Sequence, residues 1–349
     1  MSTKKVFFLL ISLVLTLSFG LPDASFAQSP KPILLKYHDP SKAGTSRTKA
    51  VEETLLEIEK RSGGRVKHEL YWAESLMKAK DALKGLQAGA CEVAEVHTVT
   101  YHPSRFPAWQ FSQLLFVGGN DVDAVAKACN EMADQNPVLK KEFDATGLIF
   151  LATSPLTPTN FISRVPLKDL KDFQGLKIRA IGPVGKWVAS LGASATPLTF
   201  YELNEAISRK LIDVVQSYTY VSHAYKFYES CKYMPLNGIS HIFIDYWINK
   251  DALTKLPPDV QKIYLSTWQD FYLERLVKHT DEENDQQLKD FKKAGVNMYS
   301  LTPQQLAKWK ESVQPINNAY FEEMRKKGVD GQKIVTDYQA LYNKYERKK

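Results

Sequence analysis

The first hundred residues switch repeatedly between two hydrophobic periods. A short apolar run at 33–38 (ILLKYH) predicts a strand, and after a loop through Gly44 the stripe Val51, Leu55, Ile58 predicts a helix over 48–60. SGGR closes that helix, 66–72 alternates as a second strand, 78–87 reads as a helix ended by Gly89, and 91–97 reads as a third strand. Strands and helices alternating across short connections imply a mostly parallel sheet covered by helices, with ligands collecting at the carboxyl ends of its strands.

The pattern restarts after a helix expected at 121–134. Strands are expected at 148–152, 176–181 and 211–216. Between the last two, Thr199 and Glu202 have capping-box spacing and open a helix to about Ser208. Residues 259–294 contain neither Gly nor Pro, which permits one long helix or two abutting ones, and Thr302-Pro303 starts another. No internal repeat or low-complexity tract breaks this second α/β unit.

Composition narrows the class. The chain has 349 residues, 44% of them apolar, enough for two ordinary domains. Lys4 and Lys5, an apolar run over 6–21 and Ser25-Phe26-Ala27 read as a secretory signal cleaved after Ala27, the run being short for a membrane span. No other stretch reaches membrane length. The formal net charge of +7 is modest and its basic residues are dispersed, which argues against a nucleic-acid partner and leaves a favourable field for small anions. Cysteines at 91, 129 and 231 form no CxxC pair, and Cys129 lies on the apolar stripe with Val122, Val125 and Met132, so packing is its expected role.

GxSxG, HExxH, GxGxxG and EF-hand patterns are absent. Gly182-Pro183-Val184-Gly185-Lys186 resembles a phosphate loop only superficially, because Trp187 stands where a hydroxyl residue would bind magnesium. The histidines include His97 and His102, but no carboxylate or cysteine completes a ligand set with them, so neither a metal nor a cofactor is expected. Arg179 allows two readings. It alternates with Lys177 and Ile181 on one face of 176–181, where solvent explains a charge most simply. It also ends a predicted parallel strand, where a planar guanidinium can grip a carboxylate through two charge-assisted hydrogen bonds.

The runs PLKDLKDFQGLKIRAIG and LGASATPLTFYELNEAISRKLIDVVQS resemble the signature of the extracytoplasmic solute receptors of tripartite ATP-independent periplasmic (TRAP) transporters. EKRSGGRVKHELYWAESL, INKDALTKLPPDVQK and LTPQQLAKWKESVQPI are similar to further family segments in the same order, so the resemblance spans nearly the whole mature chain. It implies a non-enzymatic, periplasmic protein with a two-lobe periplasmic binding protein fold: mixed, mostly parallel α/β sheets, hinge strands and a long carboxyl-terminal helix. The expected division is a signal peptide at 1–27, lobe I at 28–153 and 240–285, and lobe II at 154–239 and 286–349. The implied partners are a small organic carboxylate and the membrane subunits of a TRAP permease, with the receptor a monomer or homodimer.

By the same resemblance Arg179 falls on the family's carboxylate-binding arginine and Phe200 on an aromatic beneath the ligand, for which core packing is the competing reading. The chain departs from the pattern at three places: Ser217 replaces a usual asparagine, Thr159 stands where some receptors place a second arginine, and His97 replaces a pocket glutamate. Tyr218, Tyr220 and Tyr225 crowd the same region. Polar groups lost and tyrosines gained favour a monocarboxylate, aromatic or branched, over a C4-dicarboxylate or a sugar acid. A receptor feeding a periplasmic sensor and, in a different class, a periplasmic enzyme are the alternatives.

Overall fold

The computed structural model describes residues 31–198 and 200–347, without the side chains of residues 200 and 201. The leader expected at 1–27, the capping hydroxyl of Thr199 and the aromatic ring of Phe200 lie outside the described residues. The strands in chain order are β1 (Ile33–His38), β2 (Val66–Tyr71), β3 (Val93–Val96), β4 (Leu148–Pro155) and β5 (Asn160–Ser163). They continue as β6 (Lys177–Arg179), β7 (Ser194–Thr196), β8 (Val214–Ser217), β9 (Tyr233–Pro235), β10 (Phe243–Asn249) and β11 (Asn297–Tyr299).

These strands form two sheets, ordered β2-β1-β3-β10-β4 and β11-β9-β5-β8-β6-β7. Each is parallel except for one strand. β10 runs antiparallel to β3 and β4, and β5 runs antiparallel to β8 and β9. The cause is reciprocal: the chain leaves the first sheet after β4 to enter the second as β5, and leaves the second after β9 to return as β10. The connecting segments pair with each other, Leu156 N donating to Ile242 O at 2.9 Å and Thr159 N to Ser240 O at 2.8 Å. His241 ties them further, its ring nitrogens each 2.9 Å from a carbonyl oxygen, of Leu156 and of Gly119. These are the hinge strands, and backbone hydrogen bonds hold them at the place where two lobes would swing.

Each sheet buries both faces. Along β10 the period of two sends Tyr246 into a cluster with Tyr37, Trp268 and Tyr272, and Trp247 into another with Phe106, Phe143 and Val125. Fully buried on both sides, β10 reads as an unbroken apolar run interrupted only by Asp245, the pattern of a central strand. Residues 259–294 form helices Pro258–Ser266 and Tyr272–Lys293, joined without a break by a π-helical turn at Thr267–Phe271 that buries Trp268. The second helix packs on Ser46–Arg61 of the first lobe and on Thr219–Ala224 of the second, a third bridge between them.

The carboxyl-terminal helices divide between the lobes. Thr302 and Gln305 cap Pro303–Ser312 reciprocally, and its Trp309 enters the second lobe's core with Trp187 and Phe173. Helix Gly331–Tyr345, expected with lobe II, packs instead on helix Val122–Gln135 of the first lobe, and Gln314–Lys326 joins it while also touching helix Gly182–Ser190 of the second. Their Tyr320, Met324, Ile334 and Tyr338 join Trp109 and Trp247 in the first lobe's core. The three cysteines are buried and unpaired, Cys129 within that same cluster.

Candidate functional site

A cavity of about 690 Å³ opens between the two sheets, within the range of small-ligand sites and larger than the other described clefts of 310 to 490 Å³. Lobe I contributes the loop 40–47, Glu74 and His97; lobe II contributes Tyr220 and Tyr225; the first crossover contributes Ser154, Leu156 and Thr157. Leu276, Glu283 and Gln287 line it from the bridging helix. Burial pushes the Tyr220 hydroxyl up to about 12, opposed by the positive charge of Arg47.

The lobe I wall is a buried ionic cluster. Arg47 Nη1 donates to Asp39 Oδ2 at 2.9 Å and to the Tyr246 hydroxyl at 2.6 Å, and Nη2 reaches Asp39 Oδ1 at 3.1 Å and Glu95 Oε2 at 2.9 Å. Asp39 also accepts from the Tyr37 hydroxyl and the Ser41 N–H, which fixes both of its oxygens. His97 Nε2 stands 2.7 Å from Glu95 Oε1, although neither Glu95 contact has full hydrogen-bond alignment. Burial opposes the charge of Arg47, yet its acids hold the guanidinium well above its usual range. Burial likewise raises Asp39, while Arg47 and His97 hold the Glu95 carboxyl low against the same effect. His97 is raised because Glu95 outweighs the desolvation of its ring.

On lobe II, β6 ends at Arg179 and the chain turns at Gly182, whose φ of +55° suits glycine, into helix Gly182–Ser190. Arg179 is only 6% exposed, which excludes the solvated-face reading. Its Nε donates to Leu198 O at 2.9 Å and Nη1 to Gln216 O at 3.1 Å, and burial lowers its pKa. The guanidinium does not line the cavity directly. It lies beside Tyr218, whose ring stacks on that of Tyr220 at 5.6 Å, and Tyr220 faces the cavity.

The other expected residues separate. Tyr220 and His97 share the cavity, whereas the Ser217 hydroxyl donates to Tyr218 O and is buried behind it. Thr159 belongs to the hinge: its hydroxyl meets Ser240 Oγ at 3.0 Å and it is 2% exposed. Trp187, in the phosphate-loop-like stretch, packs in the core. Sequence reasoning missed Asp39, Arg47 and Glu95. The available signal was Glu95, a carboxylate in the otherwise apolar strand VAEV and on the same face as Val93.

Two mixed sheets linked by paired crossover strands around a cavity lined from both sides define a two-lobe solute-binding protein. Residues 39–324 match the family described as bacterial extracellular solute-binding protein, family 7 (DctP), and the chain belongs to that family. It is 23% identical over 311 residues to the C4-dicarboxylate-binding periplasmic protein DctP of Rhodobacter capsulatus, covering 88% of this chain and 92% of that one. A TRAP periplasmic solute-binding protein from Desulfovibrio salexigens, solved as an open complex, superposes with a TM-score of 0.84 at 26% identity, covering 91% of this chain and 98% of its own. A marine-metagenome TRAP protein specific for aromatic acid ligands, bound to metahydroxyphenylacetate, has a TM-score of 0.76 at 20% identity, covering 90% of this chain and 100% of its own. The protein is therefore an extracytoplasmic transport receptor rather than an enzyme. Among the described residues no helix is long and apolar enough to cross a membrane.

Proposed function

We propose that this receptor captures a small organic monocarboxylate, aromatic or branched, and delivers it to the membrane subunits of a TRAP permease. The observation that carries the reading is the cavity itself, in which Tyr220 and Tyr225 of lobe II and aliphatic side chains from both lobes surround a few fixed polar groups. Arg179, set behind the stacked Tyr218 and Tyr220 rings, pairs with the ligand carboxylate once Tyr220 moves aside on closure, and its bonds to Leu198 and Gln216 pre-orient the guanidinium. A ligand touching both walls contacts the closed arrangement more extensively than the open one, so binding shifts the population toward closure about the paired crossovers. The aromatic-acid specificity of the metagenome relative supports the ligand class.

Thermal-shift screening against organic acids tests this, since a ligand that binds only the folded chain raises the melting temperature by mass action. Aromatic or branched monocarboxylates should give the largest shifts. Arg179→Ala should weaken the best of them by about 2 to 5 kcal/mol, measured by calorimetry, because the ligand charge is left buried without its partner. Unchanged affinity in Arg179→Ala would remove the arginine from the site.

A further inference from the structure

We propose that Glu95 is a specificity-determining positioning residue: with Asp39 it consumes the charge of Arg47, so the lobe I wall rejects a second carboxylate and accepts an uncharged hydroxyl or carbonyl placed against His97. This rests on the reading that Arg179 takes the first carboxylate. An arginine lining an organic-acid cavity looks at first like a second clamp, but Arg47 is already committed on both nitrogens of its fork, to Asp39, Glu95 and Tyr246. Glu95 alone cancels its charge, and Asp39 adds up to one further negative. Once the imidazole has lost its proton the wall is at best neutral.

The rest of the lining does not restore a positive field. Glu74 and Glu283 add two carboxylates, and the other cationic lining residue, Lys42, is solvent-exposed. A second ligand carboxylate would give up its hydration to face acids at short range, a repulsive element of the kind that sets specificity. A neutral polar group faces no such cost. His97 offers it a partner, since its ring lines the cavity with 25% of the side chain exposed and Nε2 turned to Glu95. Its Nδ1 makes no hydrogen bond to a described residue, and the ring stands beside Tyr101. Glu95, Arg47, Asp39 and Asp245 are the charged groups around the imidazole, so its proton is governed by the same cluster that cancels Arg47.

Calorimetry with probes matched in size decides this: 3-hydroxybenzoate against isophthalate, and 5-hydroxypentanoate against glutarate. Wild type should prefer the hydroxy acid of a pair by about tenfold or more, and the nearly isosteric Glu95→Gln should cut that preference by about tenfold, by removing the repulsion. Equal affinities in wild type, or a ratio unmoved by Glu95→Gln, would overturn the proposal. Arg179→Ala run alongside separates the two readings: it should weaken every probe while leaving the ratio in place, and if it weakens none, only the carboxylate assignment fails. A proton NMR titration of His97 needs no ligand. Its midpoint should lie above about 6.5 in wild type and fall in Glu95→Gln, and a wild-type midpoint at or below that value overturns the charge assignment of the wall.

Discussion

Two arginines sit beside the cleft, both nearly buried, and they differ in what surrounds them. Arg47 has two carboxylates within 3.1 Å and its charge is cancelled in place. Arg179 donates to the carbonyls of Leu198 and Gln216, which orient the guanidinium. Burial lowers the pKa of Arg179, whereas at Arg47 the acids outweigh the same effect. A buried arginine in a binding protein is thus no ligand clamp by its presence alone; the acids around it decide how much of its charge a ligand can meet.

The sharpest way to break that contrast is Arg47→Ala. It strands Asp39 and Glu95 in the protein interior, and unfolding in urea should show a loss of roughly 3 to 5 kcal/mol. Arg179→Met should change stability by only about 1 to 2 kcal/mol in the same assay, while ligand affinity collapses. If the two substitutions destabilise equally, the division of labour between the arginines is wrong.

A smaller effect probes the charge balance of the lobe I wall. Glu95 raises the His97 pKa in the folded chain, so the stabilisation from this pair is complete below the unfolded value of about 6.5 and is lost as pH rises through the raised folded value. Wild type should therefore exceed His97→Gln in stability most on the acid side, with the gap narrowing above neutrality. Taking the difference between the two proteins matters, because burial lowers the pKa of His38, His68 and His241, and these lose stability in the opposite direction, as pH falls. A gap that is flat with pH would count against the Glu95–His97 pair. Smallest is Thr159→Val, which removes a hinge hydroxyl from Ser240 and should cost about 1 kcal/mol with little effect on affinity; a large loss of affinity would return Thr159 to the ligand site.

Much of the fold was legible because local periodicity reports local burial. β1, β2, helix Ser46–Arg61 and helix Val122–Gln135 lie within a few residues of the runs that predict them. The three-residue strands β7, β9 and β11 escaped because no longer alternating run surrounds them, as one at 176–181 surrounds the equally short β6. β10 escaped for another reason: buried on both faces, it has no alternation to read. The position of Arg179 at a strand end was legible. Ser217 and Thr159 were not, because the direction of each hydroxyl depends on which strand lies next to it.

Sequence alone determined the two α/β units, the absence of catalytic and metal motifs, and the family resemblance, all of which rest on residues close together along the chain or on ordered runs of them. Tertiary structure decided where the last two helices dock, that one strand in each sheet runs against its neighbours, and that two acids surround Arg47. The physical reason is distance along the chain: Arg47 meets Tyr246 across 199 positions, and the charge of a side chain in a cavity is set by such partners rather than by its neighbours in sequence.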